Sequence, residues 1–348
     1  MKRSEFSYEY PEELIAEYPA EPRDACRLML VDQEEQEVEH EQFKNLPDYF
    51  DEGDVLVVND TKVYPAQLHG QKKKTGADIE VFLLRELNPE SRLWDVTVNP
   101  ARKIRIGNKL VFDDDLSAEV IDNTTSRGRT IRFSFDQTNE ELYAKIRNLG
   151  ETPLPKYIDR ESEEADYERN QTIFAKHRGA VAPPAAGLHF TEELVERLEE
   201  KGVDVVPITL HVGRGTFRDV GVEDLTKHRM DSEEFIIPQE TAEAVNRALL
   251  SDDNTVTACG TTVVRALESS LSADETLKAD HSWTDLFVYP EYEFKITERM
   301  ITNFHRPEST LMMMAAAFMG YDYTFEVYED AFEEEYRLFH FGDAMMIE

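Results

Sequence analysis

Thr255-Val-Thr-Ala-Cys-Gly260-Thr-Thr-Val-Val-Arg265-Ala-Leu-Glu-Ser-Ser270 reads as a buried strand, a glycine turn and a helix. The strand covers 255–259. The chain breaks at Gly260-Thr261-Thr262 and continues as a helix over 261–270 that carries Arg265 and Glu268. Working outward, strands are predicted over 203–212 and 286–288, and helices over 191–201 and 240–250. Thr191 is the expected N-cap of the first of these helices. Strands that alternate with helices make an α/β fold. Upstream, 54–59 reads as another buried strand, ending in Asn59-Asp60-Thr61.

A different pattern lies between. Residues 78–84 and 92–98 alternate apolar and polar around a turn at Asn88-Pro89, and 110–112, 118–121 and 130–135 continue the pattern. These short strands predict a small all-β domain inserted in the α/β chain. A short helix over 142–149, closed by Gly150, follows it. Near the end, Phe325, Tyr328, Phe332, Tyr336 and Phe339 fall at helical spacing and predict one aromatic face turned to the core. The methionine run at 311–318 reads as a buried helix.

Net charge is −34, which alone opposes a nucleic-acid partner. The distribution says otherwise. Residues 61–132 hold 13 Lys and Arg against 10 Asp and Glu, whereas the remainder holds 25 against 62. The cations of this segment include Lys72, Lys73, Lys74, Arg102, Lys103 and Arg105, and they suit a polyanion-binding face. Cys26 and Cys259 lie far apart in no metal spacing. No apolar run would span a membrane and the start has no signal-peptide core, so a cytoplasmic location is expected.

The chemistry-bearing residues gather where strands end. Residues 179–191, Gly-Ala-Val-Ala-Pro-Pro-Ala-Ala-Gly-Leu-His-Phe-Thr, form a small, nearly uncharged loop around His189 in an acid-rich chain. Such a loop lets a ligand or another backbone approach closely. His211-Val-Gly213 follows the strand over 203–212. Gly260-Thr261-Thr262 opens a helix whose free N–H groups favour a carboxylate or phosphate. Arg229 could clamp an anion, and Asn303 and His305 sit in a polar island beside the methionine run. His189 and His305 are candidates for acid–base work. None of His189, His211, His228 and His305 falls in a metal-ligand spacing, and no phosphate loop or dinucleotide fingerprint is present.

These islands together identify a resemblance. Tyr10-Pro-Glu-Glu-Leu-Ile-Ala-Glu-Tyr-Pro19, Val58-Asn-Asp-Thr61, the 179–191 loop, Thr209-Leu-His-Val-Gly213, Gly215-Thr-Phe217, His228-Arg-Met230, Gly260-Thr-Thr262, Thr302-Asn-Phe-His305 and Phe341-Gly-Asp-Ala344 run nearly end to end. In number and order they resemble the S-adenosylmethionine:tRNA ribosyltransferase-isomerase family of queuosine synthesis. The resemblance implies an α/β barrel-like core of residues 1–62 and 150–348, with a barrel-like β domain at 63–149. It implies transfer and isomerisation of the ribosyl part of S-adenosylmethionine onto 7-aminomethyl-7-deazaguanine at the tRNA wobble position, releasing adenine and methionine. It further implies a monomer with no bound cofactor and no metal, the donor being consumed as substrate.

On the matched positions, the acid–base candidates are His189, His305, Asp60 and Asp343. Gly187, Gly213, Gly215, Thr216, Gly260, Thr261, Thr262, Arg265, Arg229 and Asn303 are expected to hold donor or base, and the six cations named above the tRNA. Some positions depart from the family pattern. Lys62 and Gln67 stand where arginines are expected, and Pro184-Ala185 alters the 179–191 loop. A non-catalytic RNA-binding module, a metal-dependent hydrolase and a methyltransferase are the competing readings.

Overall fold

The computed structural model describes residues 1–213 and 219–348. The chain opens the main sheet with an antiparallel pair, β1 (Arg27–Asp32) and β2 (Glu37–Gln42). β3 (Val55–Asn59) and the short β4 (Thr61–Val63) follow. Six strands come next: β5 (Gln67–Lys72), β6 (Asp78–Asn88), β7 (Leu93–Asn99), β8 (Lys109–Val111), β9 (Ser117–Asn123) and β10 (Gly128–Ser134). Then come α1 (Asn139–Leu149), α2 (Asp166–Arg169) and β11 (His177–Ala180). The chain returns to α/β order with α3 (Glu192–Glu200), β12 (Asp204–Leu210), β13 (Glu233–Ile237), α4 (Gln239–Ala248), β14 (Val256–Cys259) and α5 (Thr261–Ser269). It closes with β15 (Asp280–Thr284), β16 (Arg299–Asn303), α6 (Thr310–Met319), α7 (Tyr321–Glu333) and β17 (Ala344–Ile347).

Nine strands form one sheet in the order β15-β13-β12-β3-β14-β16-β17-β1-β2. Its strands alternate between two apolar layers because successive side chains face opposite sides. Val55 and Val57 of β3 enter the larger core, with α4–α7, whereas Leu56 and Val58 enter the core under α3. Met29 and Val31 divide from Leu28 and Leu30 in the same way. A sheet covered on both faces needs unbroken apolar runs, which is why 55–58 lacks polar alternation.

The α/β class and the small β-barrel agree with the sequence reading, but the core sheet is open and not barrel-like. Its edge strands β15 and β2 do not meet. β2 carries Glu37, Glu39 and Glu41, and an edge lined with charge resists further pairing. The six strands β5–β10 do close, in the order β10-β7-β6-β5-β8-β9. Val81, Trp94, Val96 and Ile131 fill the barrel, and Leu142 and Ile146 of α1 pack on the same core. Thr138 and Glu141 cap α1 reciprocally.

Two further elements differ from expectation. The strand predicted at 286–288 lies instead at β15, antiparallel to β13. The apolar run at 286–288 reflects packing, since Val288 is buried in the main core without entering the sheet. The aromatic helix stops at Glu333, and Tyr336 and Phe339 reach the core from the turn beyond, where Glu335 and Phe339 have positive φ.

Candidate active site

β12, β3 and β14 are parallel neighbours in the middle of the sheet, and β16 runs parallel to β14. Their carboxyl ends therefore open on one edge, the usual ligand side of an α/β sheet. Asn59 organises that edge. Its amide donates to the Leu210 carbonyl at 3.0 Å and to Thr262 Oγ1 at 3.1 Å. Its Oδ1 accepts from the N–H groups of Thr61 and Leu210, both at 3.1 Å. One buried side chain thus ties the ends of β3 and β12 to the first turn of α5.

Asp60 is next, 6% exposed. Thr209 Oγ1 donates to its Oδ1 at 2.6 Å, and Oδ2 lies 3.5 Å from His177 Nε2. Thr61 Oγ1 meets His211 Nδ1 at 2.8 Å. Burial, outweighing the attraction of Glu234 and Asp60, holds the His211 imidazole below its ordinary pKa, so it is neutral at pH 7. His211 stands so close to Gly179 that a Cβ there would lie 2.4 Å from its ring. The glycine that opens the 179–191 loop is thus required by this packing.

The glycine turns fall on the same edge. Gly260 has φ +93° and donates to the Ile301 carbonyl at 2.8 Å. A Cβ on it would sit 3.5 Å from Ala186, so the 179–191 loop rests against the start of α5. Gly187 lies in that loop, and a Cβ on it would meet Thr172 at 3.0 Å. Thr261 and Thr262 form the first turn of α5, where unsatisfied N–H groups gather.

Gly213 donates to Glu233 Oε1 at 2.6 Å, and Glu233 Oε2 pairs with Arg265. Arg265 also donates to the carbonyls of Leu286, at 3.1 Å, and Thr284, at 3.3 Å. Its guanidinium is therefore consumed inside the protein, and it reaches the edge only through Glu233 and Gly213. Gly215 and Thr216 lie outside the described residues. Arg229 is exposed, just past the short turn of helix at Leu225–Lys227.

A second cluster surrounds His189. Asn303 Nδ2 donates to His189 Nε2 at 3.1 Å and to the Phe339 carbonyl at 3.2 Å. With Nε2 accepting, the ring proton is on Nδ1, facing Cys26 Sγ at 3.2 Å. Burial pulls the imidazole down to about 4, although the charge of Asp343 opposes this. Asp343 itself is fully engaged. Its Oδ1 accepts from the Arg27 N–H at 3.1 Å and from Arg337 Nη2 at 2.8 Å, and Oδ2 accepts from the Arg337 N–H at 2.8 Å. His305 is packed away as well. Its Nε2 meets Thr302 Oγ1 at 2.8 Å, its N–H donates to Tyr328 Oη at 2.9 Å, and burial takes it down to about 3.

The structure therefore joins His189 to Asn303 and gathers Asp60 with Thr61, His177, Thr209 and His211. It leaves His305 apart with Thr302 and Tyr328. The sequence reading missed Asn59, His177, Thr209 and Glu233 as site residues. Asn59 carried a usable signal, a polar side chain ending an entirely apolar strand. His177 carried none, because only the β4–β11 pairing brings it to Asp60.

The predicted RNA-binding cations share one end of the barrel. Lys72 Nζ donates to the Lys103 carbonyl at 2.8 Å, and the Lys73 N–H to the Lys109 carbonyl at 2.9 Å. The β5–β6 turn thus lies beside the 101–108 loop. Lys73, Lys74, Arg102, Lys103 and Arg105 are exposed there. Buried Arg129 braces the loop through the Ile104 carbonyl at 3.0 Å and the Ala101 carbonyl at 2.8 Å. Among the described residues no group of three or more His, Cys, Asp or Glu could hold a metal, and no helix is long and apolar enough to cross a membrane.

Comparison with known proteins agrees with this architecture over its whole length. The family model described as "Queuosine biosynthesis protein" matches residues 3–347. A protein of Cytophaga hutchinsonii named S-adenosylmethionine:tRNA ribosyltransferase-isomerase is 58% identical over 348 residues, covering 100% of both chains. One of the same name from Flavobacterium psychrophilum is 58% identical over 349 residues. The crystal structure of an S-adenosylmethionine tRNA ribosyltransferase from Thermotoga maritima is 35% identical, with a TM-score of 0.55, covering 99% of this chain and 100% of that one. With both parts of the fold and every polar strand end inside the matched span, this chain belongs to the queuosine biosynthesis protein family.

Proposed function

We propose that this chain transfers and isomerises the ribosyl moiety of S-adenosylmethionine onto 7-aminomethyl-7-deazaguanine at the wobble position of tRNA. The product is epoxyqueuosine-tRNA, and adenine and methionine are released. The observation that carries the reading is the polar edge built on Asn59, Asp60, Thr61 and His211 in a chain matched end to end by relatives of that name. The donor is a consumed substrate, and no bound cofactor is invoked.

The positive sulfur of the donor acidifies the adjacent C5′ proton, so a modest base suffices. Asp60 is the best-placed base. One oxygen is held by Thr209, and among the described residues the other faces only the more distant His177. The same carboxylate offsets the sulfonium charge. The N–H groups of Thr261 and Thr262 at the α5 N-terminus take the methionine carboxylate, with Gly260 forming the turn that brings it close. Gly213 lines the adenosine or base pocket. Arg265 acts as a positioning residue through Glu233, and Gly187 lets the 179–191 loop close on the donor. His189 and Asn303 shape the floor, and His305 and Asp343 support it. Arg229 is a further anion contact.

The anticodon arm lies across residues 63–149, proposed as a separate barrel domain between the core segments 1–62 and 150–348. Lys72, Lys73, Lys74, Arg102, Lys103 and Arg105 meet its phosphates. A cytoplasmic monomer is the proposed working form. The test is a single-turnover reaction with S-adenosylmethionine and an anticodon stem-loop bearing the modified base, read by RNA mass and released adenine. The epoxycyclopentanediol mass gain with equal adenine is expected. A methyl-sized gain, or tight binding without change, would overturn the reading.

A further inference from the structure

A cleft separates α1 and the barrel from the β4–β11 ribbon, and Lys62, Arg147 and Arg178 line it with Tyr64, Tyr143 and Tyr167. In the ribbon His177 pairs with Thr61 and Arg178 with Lys62. Neighbouring strand residues face opposite sides. Thr61 and His177 turn to His211 and Asp60, so Lys62 and Arg178 turn the other way, into the cleft.

This gathering of positive charge is unusual in a chain with 72 acidic residues and 38 Lys and Arg. Arg160, Arg265 and Arg337 are each held by a carboxylate. Among the described residues, Lys62, Arg147 and Arg178 make no ion pair within 4.0 Å. Arg178 lies instead over the Tyr143 ring, 4.4 Å from its centroid. Tyr64 is 4% exposed, and its hydroxyl has no hydrogen-bond partner among the described residues. A buried donor without an acceptor is rare in a finished core.

Cations beside aromatic faces are the chemistry of single-stranded nucleic-acid sites. Glu140, on the rim, supplies an acceptor for an amino group or a 2′-hydroxyl.

We infer that this cleft binds a nucleotide flanking the one that is modified, its phosphate held by Lys62, Arg147 and Arg178 and its base against the tyrosines. The inference rests on the RNA-modifying function proposed above and adds a contact to a nucleotide that undergoes no chemistry. One thickness of the β4–β11 ribbon separates this cleft from Asp60.

The experiment compares the full-length protein with Lys62→Gln/Arg147→Gln/Arg178→Gln and with Arg178→Gln alone. A control, Lys44→Gln/Lys227→Gln/Lys278→Gln, removes the same charge elsewhere. Binding of the stem-loop is measured across potassium chloride concentrations. The triple cleft variant is expected to bind about tenfold more weakly, with the slope of log K against log salt smaller by about 1. Its single-turnover rate at saturating RNA and its KM for S-adenosylmethionine should stay within about twofold of wild type. Arg178→Gln should show a partial version of the same change.

Affinity and slope equal to the control would overturn the inference even if the wild type makes product, leaving the functional reading intact. Loss of RNA binding in a protein whose wild type makes no product would keep the cleft and sink that reading. Competition by a free nucleoside monophosphate that equals the stem-loop in affinity would assign the cleft to free nucleotides and overturn the RNA assignment.

Discussion

Asp60 and His189 are both buried beside polar partners, yet their situations differ. Among the described residues, one oxygen of Asp60 is engaged only by His177 at 3.5 Å, whereas both ring nitrogens of His189 are in use. Asp60→Asn is therefore expected to slow adenine release at least about 100-fold in rapid-quench single turnover, with donor affinity changed only a few-fold. His305→Gln should stay within about threefold of the wild-type rate. The buried histidines have another consequence. His189 titrates near 4 when folded and near 6.5 when unfolded, so between these values the unfolded chain binds the extra proton. Its contribution to stability is intact above pH 6.5 and is lost as pH falls toward 4, on the order of 3 kcal/mol. Urea unfolding at pH 7.5 and pH 5 captures about 2 kcal/mol of this loss, and His189→Gln should reduce the pH dependence by that amount, the remainder coming from His305 and His340, which burial also lowers.

At the level of elements, Glu233 on β13 joins α5 to the residue following Val212. Its two oxygens hold Arg265 and Gly213, and Glu233 and Arg265 are each buried. Glu233→Ala would leave a guanidinium buried without its counter-charge, at a cost of roughly 3–5 kcal/mol. Glu233→Met/Arg265→Met should recover much of that loss in a chemical melt, because two apolar side chains replace two desolvated charges. Donor affinity should stay low in the double variant, since the Gly213 N–H still lacks its acceptor. Recovery of both stability and affinity would show that the pair only supports the fold. In the barrel, Arg129 plays a comparable part by bracing the loop that presents Arg102, Lys103 and Arg105.

Over the whole molecule, an acidic body carries a barrel with exposed cations at one end. Long-range repulsion by a net charge of −34 opposes RNA at low salt, while local phosphate contacts weaken as salt rises. Neutralising Lys73, Lys74, Arg102, Lys103 and Arg105 together is expected to weaken stem-loop binding at least about tenfold and to reduce the salt slope by about 3–4. Equilibrium binding over a potassium chloride series checks both, and an unchanged slope would remove the barrel end from the RNA path. The open sheet also belongs to this scale. β17 at the C-terminal end lies between β16 and β1, so the last residues complete a sheet that the first strand began.

Local periodicity was enough to reveal the alternation of strands and helices around 255–270, the short-strand insert and the Thr191 cap, because each depends on neighbours within a few residues. Motif order was enough to indicate the family. The sequence also singled out Asp60, Gly213 and Gly260, since polar and glycine residues at strand ends stand out against apolar runs. Tertiary structure alone decided that the core sheet stays open, because closure depends on edges far apart in the chain. It likewise decided that Arg265 is spent on Glu233, that Asp343 is spent on Arg337 and Arg27, and that His177 reaches Asp60. These are pairings across 32, 6, 316 and 117 positions of chain. Local pattern can mark such a residue as polar and buried, but its partner is chosen by how the strands are laid side by side.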